Sequence, residues 1–372
     1  MSFLELRGIT RDWDGQGGVR DISLSLQRGD FLSILGPSGC GKSTLLRLIA
    51  GLEQPQHGTV VIDGRDVTAL PPAQRNLSMV FQSYALFPHL NVAENVMFGL
   101  KVRRVAARER DRRLSDALKM TGLDGLERRK PAELSGGQRQ RVALARAAVA
   151  EKPLCLMDEP LSNLDAKLRH SVRRDIRALA RNLGLTVVYV THDQGEAMSL
   201  SDTVALMNKG QVEQVGPPST LYNQPATIFA AQFIGEPPMA LVEGPLLGLR
   251  EGLTVGLRPE LIQLSPPEQA HLTARVLDCE FLGSETLVSL DHPAGQGLAV
   301  VLPGHASQVP GDSVGVILPE QDRRIFDTHS GRIEKASQQN PAALNRQNTA
   351  PRDGQTAPEA TEPSFDLNRT TS

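Results

Sequence analysis

The segment Gly36-Pro37-Ser38-Gly39-Cys40-Gly41-Lys42-Ser43-Thr44 constrains this chain more than any other. The apolar run Phe31-Leu32-Ser33-Ile34-Leu35 ends directly before it. Leu45, Leu46, Leu48 and Ile49 follow at helical spacing up to Gly51. A buried strand, a glycine-rich turn and a helix opening near Lys42 form the context in which G-x-x-x-x-G-K-[ST] binds phosphate. The glycines allow backbone angles closed to other residues, so successive N–H groups can face phosphate oxygens. The helix N-terminus adds its dipole. Lys42 is expected to reach the β- and γ-phosphates of a nucleotide and Ser43 to ligate Mg²⁺. Cys40 sits at a variable position of the loop, where a small residue that fits is the expectation over a redox switch.

A partner for that loop lies downstream. Leu154-Cys155-Leu156-Met157 is an apolar strand that ends in Asp158-Glu159. At this position Asp158 can hold Mg²⁺ through water, and Glu159 can polarise an attacking water as general base. A second run, 185–190, follows the helical stretch 165–182, and strand, helix, strand at that spacing implies parallel pairing. Upstream, Leu134-Ser135-Gly136-Gly137-Gln138 offers a capping serine and two bare glycine N–H groups at a helix start. That is a second anion site in one chain. Two chains placed head to tail would use both sites at each of two nucleotides.

Composition narrows the class. Among 372 residues, 40 Lys+Arg stand against 42 Asp+Glu, a net charge of −2. This argues against nucleic acid as a partner, since such binding rests on neutralising phosphates. Three cysteines, Cys40, Cys155 and Cys279, give no disulfide framework or zinc spacing. No stretch approaches 18 consecutive apolar residues, and Met1–Arg7 lacks a signal-peptide pattern. The expected location is therefore cytoplasmic, with any membrane role through a partner.

Residues 1–30 alternate apolar and polar positions, as short strands do (Leu4 and Leu6; Ile22, Leu24 and Leu26). Residues 90–150 carry the Leu, Ala, Arg and Glu of helices. After about Phe233 glycine and proline become frequent, and short strand-like segments recur near 253–258, 272–278, 285–290, 298–302 and 313–318. The expected architecture is an α/β nucleotide-binding domain over 1–235 with a helical subdomain at about 88–152. A small antiparallel β barrel over 236–335 follows. Residues 336–372, rich in Gln, Asn, Thr, Pro and Ala, are expected to be a disordered tail.

The ordered set of motifs over 1–235 resembles ATP-binding cassette (ABC) subunits. Leu134 to Gln138 match the signature motif, which implies that Ser135, Gly136, Gly137 and Gln138 contact the γ-phosphate of ATP held by a second copy. Gln82, after Met79-Val80-Phe81, matches the glutamine that senses Mg²⁺ and the attacking water. Ser162-Asn163-Leu164-Asp165 matches the loop across the dimer interface. His192, in Thr191-His192-Asp193, matches the switch histidine at the γ-phosphate. Trp13 stands where the family places an aromatic against adenine. The resemblance implies a MgATP-hydrolysing homodimer whose closing and opening drive a partner.

That partner is expected to be a pair of transmembrane permease subunits at the cytoplasmic face of the inner membrane. The segment Ser83-Tyr84-Ala85-Leu86-Phe87-Pro88 resembles the groove that receives their coupling helix; a small local core is the alternative. Soluble ABC ATPases acting on DNA or ribosomes carry two cassettes or a long coiled coil, and this chain has one cassette and no sustained heptad run. Gly256-Leu257-Arg258-Pro259-Glu260 and Leu282-Gly283-Ser284-Glu285-Thr286 resemble motifs of the oligonucleotide-binding-like β domain of importer ATPases. With Gly235 to Met239 and the run Phe326 to Ile333, they resemble the carbohydrate and sn-glycerol 3-phosphate branch. An extracytoplasmic solute-binding protein then completes the complex. Ala240 and Leu261 depart from that branch, where Asn and His are usual, and the end of its last motif is shortened. Polyamine, ferric-ion and sulfate importers share the cassette and remain alternatives.

Overall fold

The computed structural model describes residues 2–13 and 17–334. The expectation of a disordered tail over 336–372 lies outside the described residues. The N-terminal part is built on two sheets. In the first, β1 (Leu4–Asp12) lies between β2 (Gly18–Leu26) and β4 (His57–Ile62), with β5 (Arg65–Asp66) at the edge, all antiparallel. The second has the order β10-β9-β3-β8-β7-β6, from β3 (Phe31–Leu35), β6 (Leu77–Val80), β7 (Leu154–Asp158), β8 (Thr186–Thr191), β9 (Thr203–Asn208) and β10 (Gln211–Gly216). Its pairs are parallel except β9 with β10.

The apolar runs seen in the sequence form β3, β7 and β8, and they occupy the sheet interior. All five residues of β3 and all six of β8 are buried, as a strand covered on both faces requires. α1 (Lys42–Ala50) packs between the two sheets, and Leu45, Leu46, Leu48 and Ile49 join Leu6, Ile22, Ile34 and Val190 in one core. The predicted helix start at Lys42 is observed, and Gly51 ends it in a left-handed cap.

Residues 90–150 are helical as expected: α2 (Val92–Val102), α3 (Ala107–Thr121) and α4 (Gly136–Val149) share a core of Val96, Leu100, Leu118, Val142 and Ala145. The stretch predicted over 165–182 is α5 (Ala166–Leu183). α6 (Gln194–Leu200) follows β8, and α7 (Pro218–Asn223) and α8 (Ile228–Phe233) close the N-terminal part.

The expected small antiparallel β domain follows. One sheet has the order β16-β11-β12-β19, from β11 (Ala240–Glu243), β12 (Leu253–Leu257), β16 (Gly295–Gln296) and β19 (Arg324–Asp327). The other has the order β13-β18-β14-β15-β17, from β13 (Gln263–Ser265), β14 (Leu272–Phe281), β15 (Glu285–Asp291), β17 (Ala299–Pro303) and β18 (Ser313–Ile317). Val242 and Leu257 of the first sheet meet Val276, Val288 and Val316 of the second in a single core.

One buried charge holds the end of α1. Arg75 is almost fully buried and donates to four carbonyls: Nε to Leu70 O (2.8 Å), Nη1 to Leu48 O (2.7 Å) and Ile49 O (3.0 Å), and Nη2 to Thr68 O (2.7 Å). The last carbonyls of a helix have no partner within it, and here a guanidinium supplies one. Arg75→Met would leave these acceptors buried and unpaired. It is expected to lower unfolding stability by about 3 kcal/mol in urea titrations. A loss below about 1 kcal/mol would show that water replaces the guanidinium.

Candidate active site

Strand register places the site. Leu35 pairs with Thr191, and Asp158 pairs with Val190, so β3, β8 and β7 end at one edge of the sheet. The next residues, Gly36, His192 and Glu159, leave from that edge together.

The loop from Gly36 to Gly41 is shaped by steric exclusion. A Cβ on Gly41 would lie 2.5 Å from Gly18 O and 2.8 Å from Val19, and Gly41 has φ 101°. A Cβ on Gly36 would strike Met207 O and lie 2.8 Å from the Cys40 sulfur. Only glycine fits this close approach of backbone segments, which leaves a concave turn for phosphate. Lys42 is 5% exposed, and its ammonium donates to Gly36 O (2.8 Å) and Pro37 O (2.9 Å). Lys42 forms no salt bridge among the described residues, so a buried ammonium with a donor to spare lies under the loop. These are the features that a polyphosphate fits.

Cys40 is buried in the core beside the loop. Burial pushes its thiol up, and the nearby Lys42 charge only opposes that rise. This is the thiol of a packing residue rather than a reactive one. Cys155 is likewise core, pushed up to about 11 by burial.

Ser43 Oγ donates to Asp158 Oδ1 at 3.0 Å, which joins the first turn of α1 to the end of β7. Burial lifts the Asp158 carboxyl above its ordinary value, while Ser43 opposes the rise and the Glu159 charge adds to it. A hydroxyl and a half-buried carboxylate, with a second carboxylate adjacent, form an oxygen donor set that suits a hard divalent cation.

Glu159 has φ 40°, a left-handed backbone for a residue with a side chain. Its N–H donates to Val190 O (3.0 Å), and its carbonyl accepts from Ser162 Oγ (2.9 Å). This turn aims the carboxylate away from the sheet. Gln82 Nε2 approaches Glu159 Oε2 at 3.5 Å, and His192 Nδ1 lies 3.3 Å from the same oxygen. Gln82 is itself fixed, since Nε2 also reaches Ser162 Oγ (3.3 Å) and its carbonyl accepts from Asn163 Nδ2 (3.1 Å). Three residues predicted separately from the sequence therefore meet at one carboxylate oxygen.

Trp13 lies at the end of β1, 39% exposed, with the Arg11 guanidinium 4.2 Å from its ring centre. Its hairpin returns at Gly18, whose carbonyl abuts the phosphate loop. The other predicted residues lie elsewhere. Ser135 caps α4 by accepting from the Gln138 N–H (3.3 Å), and Gln138 Oε1 accepts from the Ser135 N–H (2.9 Å). Asp165 caps α5 by accepting from the Leu168 N–H (2.9 Å). Among the described residues no hydrogen bond joins Ser135, Gly136, Gly137, Gln138 or Asp165 to residues 36–44. One of the aromatics expected in the docking groove is core: Tyr84 is buried with Val80, Leu144 and Leu161. The Phe87 ring lies 4.4 Å from that of Phe98, tilted by 41°, and Phe98 is exposed.

Sequence reasoning missed Thr191 and Glu196. Asp193-x-x-Glu196 has the spacing of a capping box. Asp193 does cap α6 through the Glu196 N–H (2.9 Å), but the Glu196 side chain turns into the core and accepts from Tyr189 Oη (2.8 Å) and Thr191 Oγ1 (2.7 Å).

With this geometry in hand, the comparisons are specific. The ABC transporter family matches residues 19–162, and the TOBE domain family matches 255–326. The sn-glycerol-3-phosphate import ATP-binding protein UgpC of Salmonella choleraesuis is 42% identical over 354 residues, covering 89% of this chain and 99% of that protein. UgpC 1 of Rhizobium johnstonii is 43% identical over 358 residues, covering 90% and 96%. Among solved structures, cbiO1 of Clostridium perfringens, part of the transporter complex cbiONQ, aligns with a TM-score of 0.55 at 27% identity, over 60% of this chain and 91% of that one. The ATP-binding cassette MJ0796, a dimer in a post-hydrolysis state bound to ADP and Pi, aligns at 0.51 and 33% identity, over 58% and 98%. The chain folds as a nucleotide-binding phosphate-loop ATPase. It belongs to the ABC transporter family, as one of its ATP-hydrolysing transport subunits.

The raised Asp158 carboxyl gives a test with a defined sign. The folded chain binds that proton more tightly than the unfolded chain, so ionising Asp158 at neutral pH destabilises the fold. Asp158→Asn is expected to raise Tm at pH 7 without nucleotide or metal. The gain should shrink as pH falls through the raised folded value and vanish below 3.8, the acid's ordinary value, where it is protonated in both states. The same variant should lose Mg²⁺-dependent ATP hydrolysis. An unchanged Tm at pH 7 would count against a destabilising carboxylate.

Proposed function

We propose that the chain is the ATPase of an importer that carries sn-glycerol 3-phosphate or a related carbohydrate. The observation that carries the chemistry is the meeting of Gln82 and His192 at Glu159 Oε2, at the strand edge that also bears Lys42, Ser43 and Asp158. In this reading the loop 36–44 binds the ATP phosphates through backbone N–H groups, and Lys42 turns from its loop carbonyls to the β- and γ-phosphates. Trp13 stacks on adenine. Glu159 accepts the proton of the attacking water, Gln82 orients that water, and His192 holds the γ-phosphate side of the site. Ser43 and Asp158, with Gln82, would hold Mg²⁺, which supplies charge neutralisation on the phosphates when bound.

Among the described residues no hydrogen bond joins Ser135 to Gln138 or Asp165 to the phosphate loop, and the Ser135 and Asp165 side chains serve as helix caps. The two glycines of that helix start nevertheless present an anion site. A head-to-tail homodimer uses both halves, each copy completing the site of the other. The dimeric ADP- and Pi-bound relative supports this arrangement. ATP then favours the closed dimer and hydrolysis favours the open one, a ligand-biased two-state motion.

Among the described residues no helix is long and apolar enough to cross a membrane. In this reading transport runs through two permease subunits at the inner membrane, with this chain on the cytoplasmic face and a solute-binding protein outside. The import function of the UgpC relatives supports that assembly and its cargo. The exposed Phe98, with the Phe87 ring 4.4 Å away, supplies the apolar part of the surface we assign to the permeases.

Glu159→Gln is expected to bind ATP with near-wild-type affinity, hydrolyse it about 10³-fold more slowly and accumulate as an ATP-bound dimer in size-exclusion chromatography. Wild-type turnover in that variant would remove Glu159 as general base. Lys42→Ala should weaken ATP binding and hydrolysis together. For the cargo, the complex with its permeases in proteoliposomes should take up labelled sn-glycerol 3-phosphate or maltose upon ATP addition. Uptake of spermidine, ferric ion or sulfate alone would reassign the importer.

A further inference from the structure

A cavity of about 40 Å³ is lined by His192 together with Glu159, Arg169, Thr191, Asp193 and Glu196, among others. Three of these, Thr191, Asp193 and Glu196, are tied to one another by hydrogen bonds. Glu196, 3% exposed, accepts from Tyr189 Oη (2.8 Å) and from Thr191 Oγ1 (2.7 Å) through one oxygen. Thr191 Oγ1 in turn accepts from the Asp193 N–H (2.9 Å). Asp193 returns to α6 by accepting from the Glu196 N–H (2.9 Å), and its other oxygen meets Arg169 at 3.3 Å. The residue inside this ring is His192, the one member whose side chain is exposed toward the site.

We infer that Glu196 and Thr191 are positioning residues for catalysis, fixing the backbone on either side of His192 so that its ring meets Glu159. This rests on the reading of His192 as a γ-phosphate contact. The geometry supports the role in three ways. A buried carboxylate is costly to keep unless it is hydrogen-bonded, and here its donors come from β8, the strand that delivers His192. The Thr191 hydroxyl acts as donor and acceptor at once, so its orientation is fixed from both sides. His192 has one turn of freedom between β8 and α6, and the ring spans that turn. A shift of about 1 Å in a catalytic group is enough to lower rate by roughly 100-fold.

Thr191→Val keeps the shape and removes the hydroxyl. It is expected to lower kcat for ATP hydrolysis by at least about tenfold while KM for ATP stays within about twofold. Thr191→Ser, which keeps the hydroxyl, should restore kcat. Glu196→Ala should resemble Thr191→Val, with its folding checked by thermal melting. In a His192→Ala background, Thr191→Val should cause no further loss, because its effect passes through His192. A general packing defect would instead raise KM, lower Tm and add to the histidine substitution. If His192→Ala lowers kcat but Thr191→Val retains wild-type turnover, or if the two effects add, the positioning role is overturned and the reading of His192 stands. If His192→Ala itself retains full turnover, that reading fails first and the inference fails with it.

Discussion

The parallel pairing of β3, β8 and β7 is the constraint on which the site depends. In a parallel ladder, neighbouring strands run out at the same edge, and the pairs Leu35–Thr191 and Asp158–Val190 align three ends to within a residue. Gly36, His192 and Glu159 lie far apart in sequence, yet each leaves the sheet at that edge. The interior strands are buried on both faces, so a register slip would disrupt packing on both sides of the sheet. The chemistry is thus positioned by buried, fully paired strands, while the residues that carry it stand on short turns just beyond them.

Within that frame, the groups at the edge are arranged against their own stability. Asp158 is a half-buried carboxylate next to a second one, and burial together with the Glu159 charge lifts its proton affinity. Lys42 is buried on two carbonyls, and Glu159 sits in a left-handed backbone conformation. The buried Asp158 carboxyl and the left-handed Glu159 backbone are each costly to hold in the folded chain. Such groups bind their ligand without waiting for the protein to desolvate them, which is the physical meaning of preorganisation here.

Much of this was legible in the sequence because phosphate binding leaves a local signature. The glycines at 36, 39 and 41 and the lysine at 42 are adjacent in the chain, and the strand and helix around them follow from apolar spacing alone. Glu159 could be found because Asp158-Glu159 ends an apolar run. Gln82 and His192 needed a family pattern, since a lone Gln or His after a strand carries no signal. The Glu196 ring was not legible, because its bonds join side chains of β8 to one on α6. For Tyr84 the choice between docking groove and local core stayed open for a related reason. Its neighbours in the sequence are polar or exposed, and only the packing against Leu144 and Leu161, far along the chain, makes it core. The strands at 57–62 and 211–216 were also unread, because part-exposed segments paired across bulges alternate poorly.

The β domain is seated by a similar device to the one that holds α1. Arg258 is 3% exposed, stacks 4.0 Å from the Tyr222 ring centre, and donates to Tyr222 O (3.1 Å from Nε), Ala231 O (3.2 Å) and Ile234 O. These carbonyls lie at the C-terminal ends of α7 and α8, where helix geometry leaves acceptors unpaired. Tyr222 Oη donates to Glu260 at 2.8 Å, which fixes the ring under the guanidinium. The next residue after Ile234, Gly235, donates its N–H to Gln194 Oε1 at 2.8 Å. Gln194 opens α6, two residues after His192. A Cβ on Gly235 would lie 2.8 Å from Arg258, so the same glycine admits the guanidinium and reaches α6. The seat of the β domain and the helix that follows His192 therefore share one short stretch of backbone. Because the seat is made largely from main-chain acceptors, side-chain substitutions in α8 leave its hydrogen bonds intact, whereas loss of the single Arg258 side chain removes them together.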